Sequence, residues 1–240
     1  MKTYYKFVCL LTVSMLVLAS CNSMIRVEAS DKLTEKEYNL TDFNSVQISN
    51  SFKVEIIQSK EYRVEVTYNE DLEDHVEVVK KGDVLKLGLS QGYYYGNYNL
   101  SAKIYMPTIE SINASGASVI KFDEFDVSDL SIDLSGASKI TGGVDVASDF
   151  SIESSGASLI ALEGTAKNMT LDLSGASSFK GKELLIDENL TVECSGASNV
   201  KLTANGNVEA DLSGASVFYC YGNGVIVKQD TSGASVIKKM

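Results

Sequence analysis

Residues 130–160 read LSIDLSGASKITGGVDVASDFSIESSGASLI. Ser-Gly-Ala-Ser appears in this stretch twice, at Gly136 and at Gly156, each time behind an alternating run. Leu130, Ile132 and Leu134 alternate with Ser131 and Asp133, and Phe150 and Ile152 alternate with Ser151 and Glu153. Successive side chains of a strand point to opposite faces, so this period of two predicts a strand with one buried side. Four residues past each glycine stands another apolar residue, Ile140 or Ile160, where a second strand begins beyond a corner.

Outward from this stretch the motif recurs seven times, at Gly116, Gly136, Gly156, Gly175, Gly196, Gly214 and Gly233. Two residues before the glycines stand Ala114, Leu134, Ser154, Leu173, Cys194, Leu212 and Thr231. Four before stand Ile112, Ile132, Ile152, Leu171, Val192, Ala210 and Gln229; six before, from the second repeat on, stand Leu130, Phe150, Met169, Leu190, Val208 and Val227. Four after are Ile120, Ile140, Ile160, Phe179, Val200, Phe218 and Ile237, all apolar. A unit this short cannot bury its apolar face alone, but it can against a copy of itself. The pattern therefore predicts an all-β parallel β-helix, a solenoid of about seven coils of about 18–20 residues with like residues stacked about 4.8 Å apart. Glycine suits the corner because it takes positive φ without steric penalty. Period-two patterning excludes a helical solenoid, and propeller blades need about 40 residues each.

The chain before residue 111 is related but irregular. Phe43 to Ile56 keeps the alternation with Asn50 in the place of the glycine, and reads as a degenerate first coil. Tyr62/Val64/Val66, Val76/Val78, Val84/Leu85/Leu87 and Ala102/Ile104 add strands, and Lys80-Lys81-Gly82-Asp83 reads as a hairpin turn. Open solenoid ends need an atypical unit to hide them, so residues 41–110 are expected to be an N-terminal β cap and residues 111–240 the repeat β-helix. Pro107, the only proline, marks the junction.

The first twenty residues form an export signal: Lys2 and Lys6, then the apolar run FVCLLTVSMLVL over 7–18, too short to span a bilayer. Leu18-Ala19-Ser20-Cys21 has the form of a lipobox, which resembles the cleavage site of bacterial lipoproteins and implies cleavage before Cys21 and its lipidation. A lipid at Cys21 would attach the chain to a membrane without a span, with residues 21–40, polar and aperiodic, as a tether. Asn22 in the next position is compatible with the outer membrane. Removal of the leader takes away Lys2 and Lys6 and moves the formal net charge from −11 to −13. Nucleic-acid binders need basic patches, so this balance argues against nucleic acid as a partner. Cys194 and Cys220, both at inward positions, are expected to be buried thiols.

Phe43-Asn44-Ser45-Val46, the strand ending Tyr105-Met106-Pro107, and the iterated Ser-Gly-Ala-Ser with its flanks resemble the bacterial "putative auto-transporter adhesin, head GIN domain" family over about residues 43–235. The resemblance implies an exported β-helical head on an envelope protein, and through the family name an adhesive role. It brings no catalytic or binding residues with it.

Two surface features are candidate sites. Three residues before the glycines stand Asn113 and then Asp133, Glu153, Asp172, Glu193, Asp211 and Asp230, all outward. Stacked, these six carboxylates form a column in which each adjacent pair repels by about 0.9 kcal/mol in water and roughly 3–4 at an effective dielectric near 20. Hard oxygen ligands suit Ca²⁺, so the column is a possible cation ladder; the plainer reading is a solvated acidic face, and no cofactor or firm metal site is expected. The second feature is Tyr93-Tyr94-Tyr95-Gly96-Asn97-Tyr98, whose tyrosines are either ligand contacts or packing over the end of the solenoid. His75, the single histidine, is expected on the surface, and no nucleophile–base set or zinc spacing stands out. Trp is absent, and Arg26 and Arg63 lie outside the repeats. The expected function is non-enzymatic binding of a surface glycan or protein by a lipid-anchored envelope module. The alternatives are a β-helix carbohydrate-active enzyme of the polysaccharide lyase type, and a periplasmic structural scaffold.

Overall fold

A computed structural model describes residues 25–240; the expected export signal and the expected lipidation site Cys21 lie outside the described residues. The repeats stack as a parallel β-solenoid of about six turns. Ile112, Ile132, Ile152, Leu171, Val192 and Ala210 are consecutive partners in one ladder. Ile120, Ile140, Ile160, Phe179, Val200 and Phe218 are partners in a second. A third face, not visible in the glycine-centred pattern, is built from residues 125–127, 144–146, 164–166 and 184–186. Nearly all of these inward side chains are fully buried, and the three faces close around one dry interior.

The glycine column is the hinge of this arrangement. The seven corner glycines have φ between 71° and 92°. From Gly136 onward, a Cβ at any corner would lie 2.3–2.5 Å from the carbonyl oxygen of the glycine one coil earlier. That same carbonyl accepts the alanine N–H of the next coil at 2.7–2.8 Å, so the ladder continues around the bend. The following serine is buried and closes the corner: Ser118, Ser138, Ser177, Ser198 and Ser216 each donate Oγ–H to the carbonyl three residues back, at 2.8–3.1 Å. Coil length is not constant, since Gly175 and Gly196 are 21 residues apart. Bulges between Ala161/Gly164 and Ala166/Asn168 absorb the difference.

Asn50 does occupy the glycine position of an earlier coil. Ser45–Ile48 and Lys53–Gln58 pair in parallel with Ser111–Ala114 and Val119–Val127, and Asn50 and Ser51 take φ of 58° and 60°. Asparagine tolerates that region better than most residues. Beneath this coil lies another, assembled out of chain order from Val84–Leu89 and Leu100–Met106. The chain then reverses direction. Val76–Lys81 pairs antiparallel with Val84–Leu89 through the expected turn, where Gly82 has φ 63°. Arg63–Asn69 pairs antiparallel with Leu100–Met106. Leu72, in the short 3₁₀ turn Glu70–Leu72, is fully buried.

Two expectations need correction. The stretch 21–40 is not all tether: Leu33–Tyr38 is a strand antiparallel to Arg63–Asn69, and Ile25–Val27 pairs in parallel with Tyr93–Tyr95. The alternation in LTEKEY is masked by polar residues on both faces because this strand covers a sheet edge, where charged side chains are at home. In the last repeat, Ile226 rather than Val227 takes the inward place. A bulge between Val208 and Glu209 in the pairing shifts the register, and Val227 is exposed.

Candidate functional site

Each of the acidic residues falls in one column, as the repeat requires. Asp133, Glu153, Asp172, Glu193, Asp211 and Asp230 are successive ladder partners, and all six are exposed. Among the described residues no Lys or Arg nitrogen lies within 4.0 Å of any of them, and no three His, Cys, Asp or Glu side chains converge to hold a metal ion. The geometry of a flat ladder explains this: neighbouring carboxylates stand side by side and lean into solvent instead of closing on a point. Seven residues before the glycines a different column is satisfied internally. Asn168 Nδ2 donates to Asp149 Oδ1 (3.1 Å) and Asn189 Nδ2 to Asn168 Oδ1 (2.8 Å), a chain of side-chain hydrogen bonds along the corner.

The tyrosine cluster divides. Tyr95 and Tyr98 pack against the core, with ring centroids 6.2 Å apart, and the Tyr95 hydroxyl donates to the Ser90 carbonyl at 2.8 Å. Burial, with Tyr93 and Glu77 nearby, pushes the Tyr95 phenol above its ordinary value. Tyr93 stands edge-on to His75 at 4.5 Å. His75 is accordingly half-buried, where a free surface position was expected. Only Tyr94 is exposed, at 57 %, with the Arg26 guanidinium 5.6 Å from its ring. Three of the four tyrosines are thus part of the end packing, and Tyr94 alone of the four stands exposed.

Cys194 and Cys220 are separate buried thiols. Burial, and to a lesser degree Asp172, raises the Cys194 thiol to about 12; burial also raises Cys220, partly opposed by Lys239. Neither is suited to act as a nucleophile at neutral pH.

The concave surface lies elsewhere, on the outside of the second face where it bends toward the third. A groove of about 990 Å³ runs across five successive coils, from Lys121 to Lys201. Its floor is low because Thr141 and Ala161 are short where the same ladder elsewhere carries lysine, and because Gly143 has no side chain between Glu124 and Glu163. Lys121 stands before these short residues in the ladder and Lys180 and Lys201 after them, and Glu124, Glu163 and Glu183 also line the groove. Past the groove the same ladder continues through Tyr219 to Lys238. The groove is not legible from the one-letter pattern around the glycines, since it depends on the bulge between Phe122 and Phe125 that bends the faces. Its trace in the sequence is the short pair Thr141 and Ala161 among the long residues that stand five places after the other glycines.

These features define an all-β solenoid with an end cap and a long lateral groove. The chain belongs to the family described as "Putative auto-transporter adhesin, head GIN domain", which matches residues 42–224. Three crystal structures share its fold. A "putative adhesin" from Bacteroides fragilis is 17 % identical, with TM-score 0.78 over 88 % of this chain and 98 % of that one. A "putative lipid binding protein" from Parabacteroides distasonis is 16 % identical, with TM-score 0.72 over 90 % and 99 %. A "putative adhesin" from Parabacteroides merdae is 17 % identical, with TM-score 0.69 over 90 % and 99 %. No curated protein matches the sequence.

Proposed function

We propose that this protein is a non-enzymatic binding module of the bacterial envelope, exported by residues 1–20 and anchored through a lipid on Cys21 at the outer membrane. In this reading it engages a surface glycan or protein along the side of its solenoid. The observation that carries it is the groove crossing five coils, a shape that fits an extended ligand laid along the axis. The family and its adhesin-named relatives support the same reading. The test is binding of the purified full-length protein to intact cells and to isolated envelope fractions, with Cys21→Ser to separate anchoring from recognition. Saturable binding to cells is expected, with the variant recovered in the soluble fraction; absence of binding to both materials would sink the proposal. The periplasmic scaffold reading requires instead that protease added to intact cells leave the protein untouched.

One observation speaks to the lyase alternative, since lysines and carboxylates do share the groove. Among the described residues, however, no groove lysine stands within 4.0 Å of a carboxylate, so no close acid–base pair stands in the groove. Incubation with a polyuronate is expected to give no ultraviolet absorbance from unsaturated sugar ends. For the acidic ladder we favour a solvated face, and expect calorimetry with millimolar Ca²⁺ to show neither heat nor a rise in Tm.

A further inference from the structure

We infer that the C-terminal half of the second face, from Lys180 through Lys201 and Tyr219 to Lys238, is a binding row for an acidic polysaccharide carrying carboxylate or sulfate groups. This deepens the binding-module reading and rests on it.

The protein is strongly acidic overall, with a formal net charge of −11. Even so, Lys180, Lys201, Tyr219 and Lys238 are consecutive partners in one outward ladder. Lys182 stands beside them over the Tyr221 ring, at 5.4 Å. Among the described residues, none of these four lysines has a carboxylate within 4.0 Å. Two like charges one coil apart, at about 4.8 Å, repel by about 0.9 kcal/mol in water and by more near a protein surface. An anion placed between them removes that repulsion. The ladder presents ammonium groups about one coil apart at Lys180 and Lys201, and about two coils further on at Lys238, along roughly 14 Å of axis. A linear polymer with regularly repeated anionic groups matches such a row; a single small anion would use only part of it.

The tyrosines hold this row in place. Lys201 and Lys238 approach the Tyr219 ring at 5.8 and 5.1 Å from either side in the ladder. Cation–π contact restrains flexible lysines before the ligand arrives and so lowers the entropic cost of binding. The same contacts distinguish ligands. Single-stranded nucleic acid is held by bases stacked on free aromatic faces, whereas here the ring faces are taken by lysines of the protein itself. A polysaccharide needs no free face, only ammonium groups for its anions and polar groups for its hydroxyls. The carboxylates of Glu163 and Glu183 in the groove can accept sugar hydroxyls.

The experiment is calorimetric or surface-binding titration of the full-length protein with heparin, polygalacturonate, neutral dextran, poly-glutamate and a single-stranded oligonucleotide. Binding of heparin, polygalacturonate or both, weakening with salt, is expected, with the two arms separating sulfate from carboxylate recognition. Lys180→Ala combined with Lys201→Ala should weaken it at least about tenfold with Tm unchanged. Tyr219→Ala should weaken it several-fold, while Tyr219→Phe, which keeps the ring, should bind like the parent; a merely structural role would move Tm and spare affinity. Failure of both acidic polysaccharides, or equal affinity for poly-glutamate or the oligonucleotide, overturns the inference. If cells still bind the protein and its lysine variants alike, only the row is refuted; if cells do not bind it at all, the binding-module reading falls as well.

Discussion

The two ends of the solenoid solve one problem in opposite ways. At the N-terminal end the chain turns back on itself: Val76–Lys81 and Arg63–Asn69 pair antiparallel with the outermost coil, Leu33–Tyr38 adds a charged edge strand, and Leu72 is buried beneath. The interior there stays apolar except for Asn69, which is buried and satisfied by the Ser30 carbonyl and the Asn99 N–H at 2.6 Å each. At the C-terminal end no extra strand is added to the last coil among the described residues; the interior itself changes character. Gln229, Thr231 and Lys239 stand opposite Ala210, Leu212 and Cys220 in the ladders. Lys239 Nζ folds over to donate to the Gly222 and Gly224 carbonyls at 2.9 and 2.6 Å. A solenoid can therefore close by covering an apolar layer or by making part of a layer polar, as Gln229, Thr231 and Lys239 do beside the partly buried Ile226 and Ile237, and only the first route demands new backbone. The shared requirement is that no dry face or row of unpaired strand groups be left open to a second molecule.

The largest effect is expected where regular coil meets cap. Gly156 and Gly116 both have positive φ, but a Cβ on Gly156 would lie 2.4 Å from the Gly136 carbonyl oxygen, whereas on Gly116 it would come no nearer than 3.6 Å, to Asn50 N. Gly116→Ala should thus suffer left-handed strain alone, about 1–2 kcal/mol. Gly156→Ala adds an overpacked contact and should lose roughly 2–5 kcal/mol in total. Urea unfolding at equilibrium measures both. Equal losses would mean that the corner column is not stacked as described.

The C-terminal layer gives the next test. Replacing Gln229 and Thr231 together by leucine would extend the apolar interior to the open end without a cap over it. The expected result is self-association, seen by light scattering as a concentration-dependent rise in mass, while the same pair of changes to serine leaves a monomer a monomer. A monomeric leucine variant would show that the polar layer is not what closes this end.

The thiols report on fraying from that end. Cys220 lies in the penultimate coil and Cys194 one coil nearer the middle, next to Leu212 in its ladder. Native protein should label slowly at both with a thiol reagent at pH 8, and faster at Cys220, because opening spreads from the terminal coil. For Cys194 the folded thiol, at about 12, is raised above its ordinary value of 9.0. The folded state then holds its proton more tightly, so this contribution to stability is intact below pH 9 and is lost as pH rises from there toward 12.

Much of this was readable in the residues. Period-two flanks and a glycine every coil specify strands, corners and stacking at once, because a one-residue slip would turn every apolar side chain outward. The place of Asn50 and the hairpin at Gly82 followed from the same chemistry. The third face was less visible, since it lies furthest from the glycines and its bulges break the count. The out-of-order coil of Val84–Leu89 and Leu100–Met106 was hidden because chain order and stacking order differ there. The acidic column and the tyrosines were found as residues. The groove was not, because it arises from short side chains meeting a bend, and a bend is a property of neighbouring coils together.

The smallest effect concerns polarity in the middle of the solenoid, where the C-terminal solution is not open. Ser154 replaces leucine in a ladder between Leu134 and Leu173, and its Oγ meets Ser177 Oγ at 3.2 Å. Ser158, the corner serine of the same coil, is buried with its Oγ unpartnered, unlike Ser138, which donates to the Ser135 carbonyl at 2.9 Å. Loss of a satisfied buried hydroxyl costs about 1 kcal/mol, whereas removing an unsatisfied one is neutral or favourable. Ser138→Ala should therefore lower stability by about 1 kcal/mol and Ser158→Ala should leave it level or raise it by a few tenths, a difference that denaturant midpoints at constant m resolve. At the end of the rod Gln229 and Thr231 find water, but Ser158 has none of that freedom. If Ser158→Ala lost as much as Ser138→Ala, its hydroxyl would have a partner, and polarity inside the rod would be as well provided for as polarity at its tip.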